Sequence, residues 1–132
     1  MLDSDMTNSG QLLIVDHDRH VLRLLRRVVQ SAGLRAIPLA DAALALDVAA
    51  ERQPDVIVLG VELADSAGRD VLTYIKTDPR TRSIPVFVHT KRGASSDRVV
   101  ALELGADDYF EKPYNLGTLL GRILKHLKSQ PT

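Results

Sequence analysis

Pro54 to Gly68, read PDVIVLGVELADSAG, sets four apolar residues, Val56 to Leu59, against a loop that carries Glu62 and Asp65. In an α/β sheet the C-terminal ends of the strands line the ligand crevice, so chemistry-bearing side chains belong there. Gly60 occupies that end and brings no side chain to it. A second candidate cluster, Asp16-His17-Asp18, closes the apolar run Leu12 to Val15. His17 and His20 are three apart at a helix start, a spacing that metal ligands use, but no third ligand with suitable spacing is evident beyond Asp16. His89 falls on a predicted strand and His126 on a predicted helix, so a zinc centre is not expected. There is no cysteine, which excludes disulfides, thiolate metal sites and cysteine nucleophiles. No G-x-S-x-G, P-loop or G-x-G-x-x-G occurs, so hydrolase, nucleotidase and dinucleotide chemistry have no motif to rest on.

Periodicity supplies the elements that would position these residues. Leu12 to Val15, Val56 to Leu59 and Val86 to His89 are short apolar runs with the length of strands buried on both faces. Arg35 to Leu39 is a weaker strand. Pro38 has no donor for a ladder, so this strand belongs at a sheet edge. Asp108 to Glu111 is a short fifth strand. Between the strands, apolar residues recur at helical spacing over Arg19 to Ala32, Ala42 to about Arg52, Arg69 to Lys76, Ser95 or Ser96 to Leu104, and from Asn115 through Leu127. Asp18, Asp41 and Asn115 are the predicted N-caps, and Gly33 and Gly105 the predicted helix stops. Arg19, Arg23, Arg26 and Arg27 fall largely off the apolar stripe of the first helix and read as a solvated face. Alternation of five strands with five helices implies a parallel sheet covered on both sides.

Composition is consistent with this frame. A chain of 132 residues with 45% hydrophobic and 26% charged residues is one domain able to bury a core unaided. The domain is expected over residues 11–128, after a disordered lead (1–10) and before a polar tail (129–132). No run approaches the ~18 apolar residues of a membrane span, and the polar, acidic start is unlike a signal peptide. The formal net charge of zero argues against a general nucleic-acid binder.

The motifs LIVDHD after the first strand, PDVIVLG-VELADSAG after the third, PVFVHT on the fourth and GADDYFEKPY around the fifth resemble the receiver domain of bacterial response regulators, in order and spacing, from about Leu12 to Leu127. The resemblance implies a flavodoxin-like (βα)5 three-layer sandwich with a five-stranded parallel sheet of order 2-1-3-4-5. It also implies a pocket in which an aspartate accepts a phosphoryl group from a histidine kinase; the matching residue here is Gly60. The acidic pair that holds Mg²⁺ maps onto Asp16 and His17, so one acid is missing. The switch hydroxyl maps onto Thr90, the pocket lysine onto Lys112, the aromatic switch onto Tyr109, and a cis-proline onto Pro113. Glu62 and Arg92, two residues past the acceptor and switch positions, flank the pocket mouth as an acid–base pair able to bridge it, with Lys91 beside them.

An acyl phosphate needs a carboxylate nucleophile, and Mg²⁺ needs hard oxygen ligands. Gly60 removes the first and His17 weakens the second. The reading is therefore a pseudo-receiver: a non-enzymatic signalling module, cytoplasmic, without cofactor and with weak Mg²⁺ binding at most. Its expected partner is a protein docked on the fourth helix, fifth strand and fifth helix, with a homodimer compatible and neither nucleic acid nor membrane expected. Lys112 is expected to pair with Asp16, and Thr90 to satisfy backbone groups at its strand end. Two alternatives stay open: phosphorylation of a substitute residue (Glu62, Asp65 or Asp16), and a small-ligand site in the emptied crevice.

Overall fold

Leu12 and Ile14 face one side of the sheet and Leu13 and Val15 the other, and each side has its own apolar core. The same alternation holds for Val56 and Val58 against Ile57 and Leu59, and for Phe87 against Val86 and Val88. Side chains on a strand alternate between faces, so a strand apolar at every position must be covered twice. The structure, a computed structural model, describes residues 10–90, 95–111 and 115–128. The expected lead and tail lie almost wholly outside them.

The strands are β1 (Gln11–Val15), β2 (Arg35–Leu39), β3 (Val56–Gly60), β4 (Val86–Thr90) and β5 (Asp108–Glu111). They pair in parallel, as the alternation of elements implied, and in the order β2-β1-β3-β4-β5 that the family resemblance implied. The helices are α1 (Arg19–Ser31), α2 (Ala45–Arg52), α3 (Ser66–Thr77), α4 (Ser95–Glu103) and α5 (Leu116–Lys128). Leu22, Leu25 and Val29 of α1 and Leu119 and Ile123 of α5 cover one face. Ala45 and Ala49 of α2, Leu72 and Ile75 of α3 and Ala101 of α4 cover the other.

The predicted caps form. Asp18 Oδ1 accepts the His20 and Val21 amides at 2.9 and 3.4 Å, and Asn115 Oδ1 accepts the Thr118 amide at 3.1 Å. Gly33 and Gly105 take φ of 83° and 103°, the left-handed stop that glycine adopts at little cost. Pro38 lies on the edge strand β2. Asp41 caps a 3-10 turn, Ala42–Leu44, which leads into α2.

One element begins earlier than predicted. The third helix opens at Ser66, and Gly68, read from sequence as the end of the loop, lies buried in its first turn. A Cβ at Gly68 would overlap the Glu62 carbonyl, so glycine lets this turn close onto the loop after β3. The Arg69 guanidinium then fastens that loop by donating to the carbonyls of Leu63 and Ala64 at 2.7 and 3.1 Å.

At the far end of the sheet Asp107 sets where β4 starts. Its Oδ2 accepts the Val86 amide at 2.8 Å and the Lys76 ammonium at 3.3 Å. Lys76 also donates to the Ile84 carbonyl at 3.0 Å. Asp107→Ala removes an acceptor shared by a backbone donor and a charged one, and should cost about 1–2 kcal/mol in urea denaturation. A variant as stable as the parent would show that this anchor is dispensable.

Candidate functional site

β1, β3 and β4 end side by side, and their last residues form the floor of the site. Val15 pairs with Leu59, and Gly60 pairs with His89. Partners in a parallel ladder point to the same face, so the His89 ring rises beside a residue that has no side chain. Asp16 arrives from the end of β1 on that same side. The result is a filled space. A Cβ at Gly60 would stand 2.5 Å from Asp16 Oδ2, 2.7 Å from His89 Nε2 and 2.8 Å from the Val15 carbonyl oxygen. Real Cβ contacts are not that short, and one of the three atoms is backbone.

Asp16 and His89 are both fully buried. His89 Nε2 lies 3.5 Å from Asp16 Oδ2. The other carboxylate oxygen, Oδ1, accepts the Asp18 amide at 2.8 Å and so shapes the turn into α1. His17 stays in solvent, its side chain 72% exposed, with Nδ1 3.8 Å from Asp16 Oδ1. Among the described residues Asp16 therefore faces imidazoles and a backbone donor. The expected Asp16 partner, Lys112, lies outside the described residues with Lys91, Arg92 and Pro113.

The described donors are unlike the oxygen set that Mg²⁺ takes. That ion demands near-octahedral oxygen ligation, and here one buried carboxylate meets nitrogen neighbours and a glycine. No group of three metal-ligating side chains converges among the described residues. His20 is exposed, and the His126 ring packs edge-on to Phe87 at 5.9 Å.

Thr90 points to the opposite face of the sheet from His89. It is 1% exposed, and its hydroxyl donates to Glu62 Oε1 at 3.1 Å. Thr90, expected to satisfy backbone groups at its strand end, thus also bonds a carboxylate, and the expected Glu62–Arg92 pair involves a residue outside those described. Tyr109, paired with Val88, shares that face and is 4% exposed. The Arg98 guanidinium sits 5.9 Å from its ring centroid. Its hydroxyl has no hydrogen-bond partner among the described residues.

His89 is the site residue that sequence reasoning passed over as a strand histidine. The signal that could have found it is its register: it is the β4 residue opposite the missing side chain.

Comparison with known proteins gives the same outline. The family model described as the response regulator receiver domain matches residues 12–124. The transcriptional regulatory protein PrrA of Mycobacterium tuberculosis is 37% identical over 122 residues, which are 92% of this chain and 51% of PrrA. The KDP operon transcriptional regulatory protein KdpE of Escherichia coli is 35% identical over 118 residues, 89% of this chain and 50% of KdpE. The chain thus spans about half the length of the regulators it matches. A putative response regulator from Chloroflexus aurantiacus superposes with a TM-score of 0.81 at 29% identity, covering 90% of this chain and 98% of that one.

Two outcomes follow from this packing. Gly60→Ala overfills the space and should cost about 1–3 kcal/mol in urea denaturation. In the His89→Ala background the same change should cost less, with a coupling of ~0.5–3 kcal/mol. Strict additivity would show that His89 does not fill the Gly60 space. The second outcome concerns Tyr109. Burial, with the carboxylates of Asp97, Glu111 and Glu62 adding to it, raises its phenol above the ordinary 10.0 against a smaller opposing effect of Arg98. The fold holds the neutral phenol, so this contribution is present below about pH 10 and is lost as pH rises beyond it. Tyr109→Phe should remove that part of the alkaline loss of stability. A parent whose buried tyrosine ionises at 10 with the fold intact would contradict it.

Proposed function

The chain belongs to the response regulator receiver family, and we propose that it serves there as a protein-docking signalling module that works without phosphorylation at the usual position. One observation carries the reading: the acceptor position is Gly60, and the space a side chain would need is taken by Asp16, His89 and the Val15 carbonyl. A missing carboxylate alone could be a point change. A missing carboxylate whose space a buried histidine has taken is a repacked site, in which an acceptor would have to displace its neighbours. The poor fit of the donors to Mg²⁺ removes a second requirement of phosphoryl transfer. No catalytic role is assigned to any residue.

In this reading the remaining pocket residues hold one state. Glu62 supplies a fixed carboxylate to the Thr90 hydroxyl, and Tyr109 is packed inward on the same face. A ligand shifts a two-state equilibrium only through differential affinity, and nothing in the repacked pocket supplies such a ligand. The docking face is α4, β5 and α5, where Val99 and Leu102 of α4 stand 54% and 46% exposed beside Arg98. Large exposed apolar side chains at one helix suit a protein partner. The transcriptional relatives suggest a regulatory setting for that docking.

The alternative of a substitute acceptor has one geometric point in its favour. Asp16 is fully buried and Glu62 is engaged by Thr90, but Asp65 at the start of α3 is exposed and makes no capping bond with its side chain.

Incubation with a small phosphodonor and Mg²⁺, followed by intact mass, separates the readings. The parent should gain no phosphoryl adduct, and millimolar Mg²⁺ should leave its melting temperature unchanged. Gly60→Asp should be less stable and should label no better, while Gly60→Asp with His17→Asp and His89→Ala restores carboxylates and space together. An adduct on the parent lost in Asp65→Asn would establish the substitute acceptor. Efficient labelling of Gly60→Asp alone would overturn the repacking argument.

A further inference from the structure

The zero net charge of the chain is an average over two unlike helical layers. α1 reads RHVLRLLRRVVQS and α5 reads LGTLLGRILKHLK, and neither contains an acid. On the other face, acids and bases are mixed: Asp47 and Glu51 with Arg52 in α2, Asp70 with Arg69 and Lys76 in α3, Asp97 and Glu103 with Arg98 in α4. The acid-free layer is also the one in which α1 and α5 pack side by side.

Within it, α1 is the concentrated part. Arg19, Arg23, Arg26 and Arg27 are all exposed, and no carboxylate among the described residues pairs with any of them. On α5, by contrast, Arg122 is held by Asp108 at 3.0 Å. Arg19, Leu22, Arg23 and Arg26 form one wall of a groove of about 190 Å³ whose other side is Pro38 of the edge strand. At ~1.5 Å per residue the four guanidinium groups spread over about 12 Å, the axial rise of three to four phosphates along one strand of a duplex. All four are arginine, whose planar fork matches phosphate oxygens two at a time.

From this charge distribution we infer that the α1 face binds the phosphate backbone of duplex nucleic acid without sequence preference. This sets aside the expectation drawn from net charge alone, because a duplex meets one face and not the average. The composition of the face favours a nucleic acid over a protein. Protein interfaces are built around buried aromatic and apolar anchors, and α1 exposes only Leu24, at 39%, among its large apolar residues. Nucleic-acid interfaces are more polar and far more positive. A membrane is disfavoured because the apolar stripe of α1, Leu22, Leu25 and Val29, is spent in the core. The inference is independent of what happens at Gly60.

The test is fluorescence anisotropy of a short labelled duplex of arbitrary sequence. Binding should appear at about 50 mM salt and weaken about a hundredfold by about 200 mM, the loss expected for roughly four neutralised phosphates. Replacing Arg19, Arg23, Arg26 and Arg27 together by Gln, a good helix former, should reduce binding at least about tenfold with the melting temperature preserved. Arg52→Gln with Arg82→Gln on the other side should leave binding unchanged. If the fourfold variant unfolds, Arg19→Gln with Arg23→Gln and Arg26→Gln with Arg27→Gln serve instead, each expected to lose part of the affinity. Absence of duplex binding at the lower salt, or binding indifferent to the α1 changes, overturns the inference. Poly-glutamate or anionic phosphatidylserine vesicles binding as tightly as the duplex would overturn it in favour of an acidic protein or a membrane surface.

Discussion

Two atoms cannot share the space above Gly60, and that exclusion orders the C-terminal end of the sheet. His89 is directly opposite in the ladder, so the absence of one side chain admits the other. With the ring in place, Asp16 is enclosed, fully buried, and turned so that one oxygen receives the amide of Asp18. That bond shapes the turn from which Asp18 caps α1. A change at the end of β3 is thereby felt at the start of a helix on another connection. Interiors packed at crystal density transmit size changes in this way, because there is no slack to absorb them.

The two faces of the sheet divide the labour. His89, Gly60 and Asp16 lie on the α1/α5 side and are closed off. Thr90 and Tyr109 lie on the α3/α4 side, where Glu62 and Arg98 contact them. Adjacent residues of β4 therefore belong to different environments: one fills the space beside Gly60, and the next bonds a carboxylate across the mouth. The local distance is one peptide unit, but the strand pleat separates their surroundings completely.

Much of this could be read from residue types. The strands announced themselves as apolar runs, Pro38 marked an edge, and Asp18, Asn115, Gly33 and Gly105 sat where helix ends need them. Gly60 was legible as a vacancy at a strand end. What filled it was not, because the identity of the neighbour depends on register between β3 and β4, and a run such as VFVHT contains no marker of which residue faces which partner. Gly68 misled for a related reason. Glycine is a poor helix former, and only the nearby Glu62 carbonyl explains its place inside a first turn. The bond from Thr90 to Glu62 joins residues 28 apart in the chain, beyond the reach of any local pattern. The left-handed Gln53, φ 47°, is likewise unmarked; its side-chain amide donates to the Ala50 and Arg80 carbonyls at 3.0 and 2.9 Å, ties made after the chain has folded back.

The anchor at Asp107 gains a second meaning from this arrangement. It fixes the first residue of β4, while His89 and Thr90 are the last two. A slip of one position would exchange their faces, lifting the imidazole toward Glu62 and lowering a hydroxyl into the space beside Gly60. Both are polar side chains of moderate size, so hydrophobic patterning at that end of the strand scarcely penalises the exchange. Fidelity of strand alignment is thus enforced at the opposite end, by a carboxylate that holds the Val86 amide. Alignment errors, and not loss of contacts at the pocket, would be the natural route by which a distant substitution corrupts this site.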